Sequence, residues 1–231
     1  MPRERIKLQP AWLLSVRPYR ETSALLEAFS QARGRVGLVA RGARGQRSKL
    51  RGVLQPFQPL LLSWLDSGEL GTLTGAESAG RALGFTGEQI FSAWYVNELL
   101  MRLLPRRDAQ PLLYTAYQHV LPCLCGGHAE AALRNFEMDL LETLGYALPL
   151  AGDIEAGAHY AWDPEQGARL AVAGEGCSGA ALLALRERRF EEATTRREVR
   201  ALLRGAVDRQ LGGRELESRR LLRAVRAGGV K

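Results

Sequence analysis

Five short runs of alternating apolar residues fall within the first 80 positions, divided by glycine-bearing turns, with no room between them for a crossover helix. Antiparallel strands can be joined by tight turns, whereas parallel neighbours need a dozen or more connecting residues. The pattern therefore restricts this stretch to a small closed barrel. From Gln9 onward Trp12, Leu14 and Val16 alternate until Pro18, which is expected to interrupt the strand, and residues 1–6 are expected to fray. In residues 23–30 Leu25, Leu26 and Phe29 also suit a helical turn. Gly34 in a hairpin position and the alternation of Val36, Leu38 and Ala40 decide for strand. Residues 59–65 and 69–74 flank Asp66-Ser67-Gly68, a three-residue connection ending in glycine. A five-stranded barrel of the OB type fits best, with residues 1–80 as its domain.

Charge singles out the same region. Residues 1–80 carry 12 Lys and Arg against 6 Asp and Glu, while residues 81–231 are nearly balanced at 20 against 19. An excess of cations confined to one third of a chain implies a polyanionic partner for that third. Its densest part is residues 41–51, where Arg41, Arg44, Arg47, Lys49 and Arg51 occur with no acid and with Gly42, Gly45 and Gly52 to loosen the chain. Arg35 precedes them on the strand. A flexible cationic loop on a barrel suits a phosphate chain, and Trp12, Tyr19, Phe57 and Trp64 are candidates to stack on bases or else to fill the core.

Beyond about residue 80 the apolar spacing becomes helical. Residues 89–104 carry Ile90, Trp94, Leu100 and Leu103 up to Pro105; residues 111–125 open on a proline and stop at Gly126-Gly127; residues 129–144 stop at Gly145. These three are expected to pack as a bundle. Residues 146–178 break the pattern, and 160–162 with 169–172 could form a hairpin around 164–167. Helices resume at 180–186, 195–211 and 215–226, with Thr194 or Thr195 and Glu198 as a capping box. The fold class is α+β: a barrel, then a helical domain, 81–231, with a small irregular insertion.

Other chemistries find little footing. Three cysteines make no disulfide framework and suit a reducing cytoplasm, and no run of 18 apolar residues could span a membrane. Gly174-Glu175-Gly176-Cys177-Ser178-Gly179 matches a dinucleotide fingerprint but lacks the following parallel strand and acid. The same residues make a poor nucleophile elbow, with only His119, His128 and His159 as bases and no supporting context. His119, Cys123, Cys125 and His128 cluster in sequence, yet C-x-C is unsuitable spacing for structural zinc. No catalytic residue, metal or cofactor is expected. Arg134, set in the apolar helix ALRNFEMDLLETLGY, is either an exposed cation or a seat for a partner's carboxylate.

The blocks RPYRETSALLEAFSQARGRVGLVARGAR, LRGVLQPFQPLLLSW, GELGTLTGAES, NELLMRLL, ALRNFEMDLLETLGY and LESRRLLR, in this order, resemble the RecO family of bacterial recombination mediators. That resemblance implies an OB-fold followed by a helical domain, binding of single- and double-stranded DNA, annealing of complementary strands, and partnership with RecR. It also implies contact with the acidic tail of single-strand binding protein, which helps RecA to load. It assigns DNA contacts to Arg35, Arg41, Arg44, Arg47, Lys49 and Arg51, and the tail contact to Arg134. Many family members hold zinc through four cysteines after the LGY motif; here residues 146–180 contain only Cys177, so hairpin packing has to replace the metal. A general RNA-binding OB protein is the alternative that the same loop would serve.

Overall fold

The computed structural model describes residues 4–66, 68–126, 129–163, 166–172, 175–190 and 192–228. Ser67 of the expected hairpin turn, the helix stop Gly127, the candidate ligand His128, Pro164 of the second hairpin and Gly174 of the glycine-rich run lie outside the described residues. Eight strands and six helices are described: β1 (Glu4–Tyr19), β2 (Ser23–Ser30), β3 (Gly34–Ala40), β4 (Pro59–Asp66), β5 (Leu70–Ser78), β6 (His159–Asp163), β7 (Gly167–Ala171) and β8 (Cys177–Ser178), with α1 (Gln89–Leu103), α2 (Pro111–Leu124), α3 (Ala129–Thr143), α4 (Gly179–Glu187), α5 (Ala193–Gln210) and α6 (Glu217–Gly228). They cluster into two compact units, Met1–Cys125 with Leu216–Lys231, and Gly126–Glu215.

In the first unit β1 to β5 close into a barrel of order β1-β2-β3-β5-β4, the order of an OB-fold. Only the β3–β5 pairing is parallel. Leu13, Leu26, Leu38, Leu60, Leu62 and Trp64 fill the interior. Closure depends on the length of β1, whose first part pairs with β4 (Glu4↔Asp66 to Trp12↔Pro59) and whose second part pairs with β2 (Ala11↔Ser30 to Tyr19↔Ser23). This corrects two expectations. Residues 4–6 are paired rather than frayed, and Pro18 does not end the strand but pairs with Ala24. Past Trp12 only β2 flanks β1, and a proline without an N–H is tolerated on such a one-sided stretch.

A shift of register between Leu13 and Ser15 leaves the Leu14 carbonyl to Asn97 of α1, whose amide donates to it at 3.0 Å. The Asn97 side-chain oxygen accepts from the Tyr117 hydroxyl of α2 at 2.7 Å, so one buried amide ties both helices to the barrel wall. Glu98 beside it accepts the backbone N–H groups of Glu217 and Ser218, both at 3.0 Å, and the Ser218 hydroxyl at 2.8 Å. That carboxylate satisfies the orphan donors at the start of α6 and fixes the helix to α1.

The bundle expected of residues 89–104, 111–125 and 129–144 is not what forms. In the first unit α1 packs with α2 and α6, while α3 belongs to the second unit, where it packs with α5. The change from strand to helix near residue 80 falls inside the first unit. In the second unit the sheet has the order β7-β6-β8, and Tyr160, Cys177 and Leu182 form its small core. The expected capping box is also corrected: α5 begins at Ala193, and Glu198 accepts the Ser178 N–H at 2.7 Å instead of closing onto its own helix. Ser178 in turn caps α4 through Ala181 N–H at 3.2 Å.

Candidate nucleic-acid interface

The cationic segment leaves β3 at Ala40, whose partner across the ladder is Ala24, so it starts beside the β1–β2 turn. There the Arg44 N–H donates to the Thr22 carbonyl at 2.8 Å, and its guanidinium donates to the Arg20 carbonyl at 3.3 Å. Successive turns follow: Gly45 N–H to Gly42 O at 3.1 Å, Ser48 N–H to Gly45 O at 3.0 Å, then the 3₁₀ turn Lys49–Gly52. Ala43 and Leu54 are buried in the barrel core, with Leu50 and Val53 packed against it. The glycines therefore do not loosen this segment. Gly42, at φ +67°, allows a tight turn in a segment that apolar anchors hold down at both ends.

Arg41, Arg44, Arg47, Lys49 and Arg51 are all exposed. None of the five makes an ion pair among the described residues, so their charge is not spent on the protein's own acids. Arg35 stands apart. Its guanidinium donates to the Met101 carbonyl at 2.5 Å and lies 3.9 Å from Glu27, which is also paired with Arg106. Burial pushes its pKa below the usual arginine value, against the pull of Glu27. The cause is the 105–109 stretch, which crosses the start of β3: Arg107 N–H bonds the Arg35 carbonyl at 2.8 Å, and a Cβ on Gly34 (φ +63°) would meet Asp108 O at 1.8 Å. Arg35 is thus turned to the protein rather than to the rim.

Of the candidate stacking aromatics, Trp12, Phe57 and Trp64 are buried. Tyr19 remains partly exposed, with the Arg20 guanidinium 5.3 Å from its ring centroid. Arg20 sits in left-handed backbone, φ +52°, at the turn whose carbonyl Arg44 holds. Arg17 and Arg20, both exposed, extend the cationic rim and were not singled out from the sequence. The signal available for them was the alternation Arg17-Pro18-Tyr19, which places Arg17 and Tyr19 on one face of β1.

Arg134 is in the second unit, buried on α3 and 3.2 Å from Glu137 one turn later. It is neither an exposed cation nor an open seat in this state, although its Nε makes no hydrogen bond among the described residues. No three His, Cys, Asp or Glu side chains converge on a metal site among the described residues. His119 and Cys125 are exposed on α2 and its end, and Cys125 Sγ contacts the Gly84 carbonyl at 3.6 Å. Cys177 is buried with Sγ at 3.4 Å from the Tyr160 carbonyl, and a single thiol cannot supply the four ligands of a tetrahedral zinc site. The glycine-rich run serves packing: a Cβ on Gly176 would meet Tyr160 O at 2.2 Å, and one on Gly179 would meet Glu155 O at 1.9 Å.

A closed five-strand barrel of order β1-β2-β3-β5-β4 defines the class of OB-fold proteins, and here its rim carries exposed cations that make no ion pairs among the described residues. The family model described as recombination protein O N terminal matches residues 5–81, and that described as recombination protein O C terminal matches residues 85–220. The chain belongs to the recombination protein O (RecO) family. It is 47% identical to a DNA repair protein RecO of Nitrosococcus oceani, over 97% of this chain and 96% of that one. It is 44% identical to a DNA repair protein RecO of Methylococcus capsulatus, over 95% and 94% of the two chains, and 43% identical to that of Aromatoleum aromaticum, over 96% and 98%.

Proposed function

We propose that this protein is a non-enzymatic recombination mediator that holds DNA by its phosphates on the barrel rim and anneals complementary strands. With RecR it then helps to load RecA on single strands coated by single-strand binding protein. In this reading residues 1–80 hold DNA and residues 81–231 receive partners, and the protein works in the cytoplasm, at the nucleoid. The observation that carries it is the set of Arg41, Arg44, Arg47, Lys49 and Arg51, exposed and without ion pairs among the described residues, on a wound, anchored segment. Annealing follows from charge neutralisation at bound phosphates while the bases stay free, so that two strands approach without mutual repulsion. Arg134 seats a carboxylate of the single-strand-binding-protein tail, its unfilled Nε donor supporting this, and the tail has to displace Glu137 to reach it.

The test is annealing of complementary oligonucleotides, bare and coated with single-strand binding protein. Faster annealing on both, lost when Arg44, Arg47 and Lys49 are changed to Ala, is the expected result. Annealing that survives those changes refutes the reading.

A further inference from the structure

Within the first unit a cleft of about 660 Å³ opens between the barrel face of β1 and β2 and the helices α1 and α6. Its wall holds Trp94, which helical spacing had assigned to the core but which is 43% exposed, with Met101 and Leu221 on the same side and Val16 across from it. Phe91 meets the Trp94 ring at 89°, with 5.9 Å between centroids, and so fixes its orientation. The acids of the cleft are already engaged: Glu27 with Arg106 and Arg35, Glu98 with the start of α6 and with Arg102 at 3.6 Å, and Glu217 with Arg220 at 2.6 Å. Arg17 at the mouth is exposed and has no ion pair among the described residues. Arg17 lines the cleft and shares a face of β1 with Tyr19, and the carbonyl of the next residue, Arg20, is bonded by Arg44, so β1 leads from the cleft to the cationic rim.

We infer that this cleft is a binding site for an unpaired nucleobase, stacked on Trp94 with the adjoining phosphate on Arg17. An exposed indole and an exposed cation lining one cleft are the combination that single-strand grooves use, and a base inside a duplex cannot reach it. The site rests on the reading of the rim as the phosphate track, and it gives single strands a contact that duplexes lack.

The test uses the intact protein and its own tryptophan emission. Trp12 and Trp64 are buried and Trp162 is partly buried, so Trp94 is the indole most open to a strand. Titration with an oligothymidylate is expected to quench the emission. A duplex of equal length, or a strand of the same length made abasic throughout, leaves it unquenched, and Trp94→Phe removes the quench. Trp94→Ala and Trp94→Leu are each expected to weaken single-strand binding about tenfold, with the duplex affinity and the salt slope unchanged. Equal quenching by the abasic strand, or unchanged single-strand affinity in both variants, overturns the assignment. Emission that ignores every strand but shifts with a single-strand-binding-protein tail peptide assigns the cleft to a protein segment and also overturns it. Strand binding without any salt slope refutes the rim, whereas a normal slope with a silent Trp94 refutes the cleft alone.

Discussion

Salt dependence offers a direct reading of how many cations of the rim touch phosphate. Each neutralised phosphate contributes about −0.7 to the log–log slope on single strands and about −0.9 on duplex. With Arg41, Arg44, Arg47, Lys49 and Arg51 all engaged, and Arg17 as a sixth contact on a single strand, the slope is about −4.2 on a single strand and about −4.5 on duplex, so affinity for a single strand falls roughly 340-fold between 50 and 200 mM salt. Changing Arg47, Lys49 and Arg51 to Ala leaves three of the six, a slope of about −2.1, and a loss over the same range of only about 18-fold. The three side chains are exposed and make no ion pairs among the described residues, so the variant keeps its fold. Arg35→Ala is the internal control: its guanidinium faces Met101 and Glu27, so the slope stays at the wild-type value while stability falls by about 1–3 kcal/mol. Fluorescence anisotropy with a labelled oligonucleotide at four or five salt concentrations gives the slopes, and urea melts give the stabilities. A slope unmoved by the triple change, or moved as much by Arg35→Ala as by Arg47→Ala, refutes the placement of the phosphate track.

Three further outcomes follow from buried polar groups. Asn97→Leu leaves the Leu14 carbonyl and the Tyr117 hydroxyl without their partner and is expected to cost about 1–3 kcal/mol for each group left unsatisfied, read as a lowered midpoint in urea. Arg134→Ala removes one ion-pair partner of the buried Glu137 and is expected to cost about 1–3 kcal/mol, whereas replacing both residues by apolar ones of similar volume recovers most of that; denaturant melts of the single and double variants decide it. Burial raises the Tyr114 phenol to about 12 and the Tyr117 phenol further in the same direction. The neutral forms favour the fold, so this contribution is complete below the ordinary tyrosine value of 10.0 and is lost as pH rises past it towards 12. Thermal melts between pH 9 and 12 are expected to show the decline, and Tyr117→Phe to flatten it.

The barrel could be read from the chain because its signals are local. Gly34 has the positive φ a tight turn requires, and Val36, Leu38 and Ala40 alternate into the core as a strand with one buried face must. The cationic residues from 41 to 51 were found by charge alone, since nothing in the fold has to decide their exposure. What escaped was decided at a distance. Arg35 looks like its neighbours in sequence, but the 105–109 stretch folds across β3 and turns it inward. Trp94 has core spacing, yet α6, more than a hundred residues later, packs on α1 so that an open cleft remains beside the indole and leaves it exposed. Asn97 and Glu98 did leave a trace: two polar residues inside the apolar run of α1 have to find partners when buried, and both did.

The burial of Trp12, Phe57 and Trp64 bears directly on how the rim would work. A groove that stacked every base would hold a single strand tightly and oppose pairing, since each stacked base forfeits about 1–3 kcal/mol when it leaves. Here the rim offers cations on a pinned backbone and keeps Trp12, Phe57 and Trp64 inside; in the proposed reading affinity comes from phosphates and the bases face outward, available to a second strand. One base in the Trp94 cleft is enough to register a strand without withdrawing the rest from pairing. Adding aromatics to the rim should therefore separate the two properties: Arg41→Trp with Arg51→Trp is expected to tighten single-strand binding at high salt while slowing annealing. Stopped-flow mixing of complementary labelled strands measures the rate, and annealing that quickens along with tighter binding would rule out free bases as the reason the rim is built from charge.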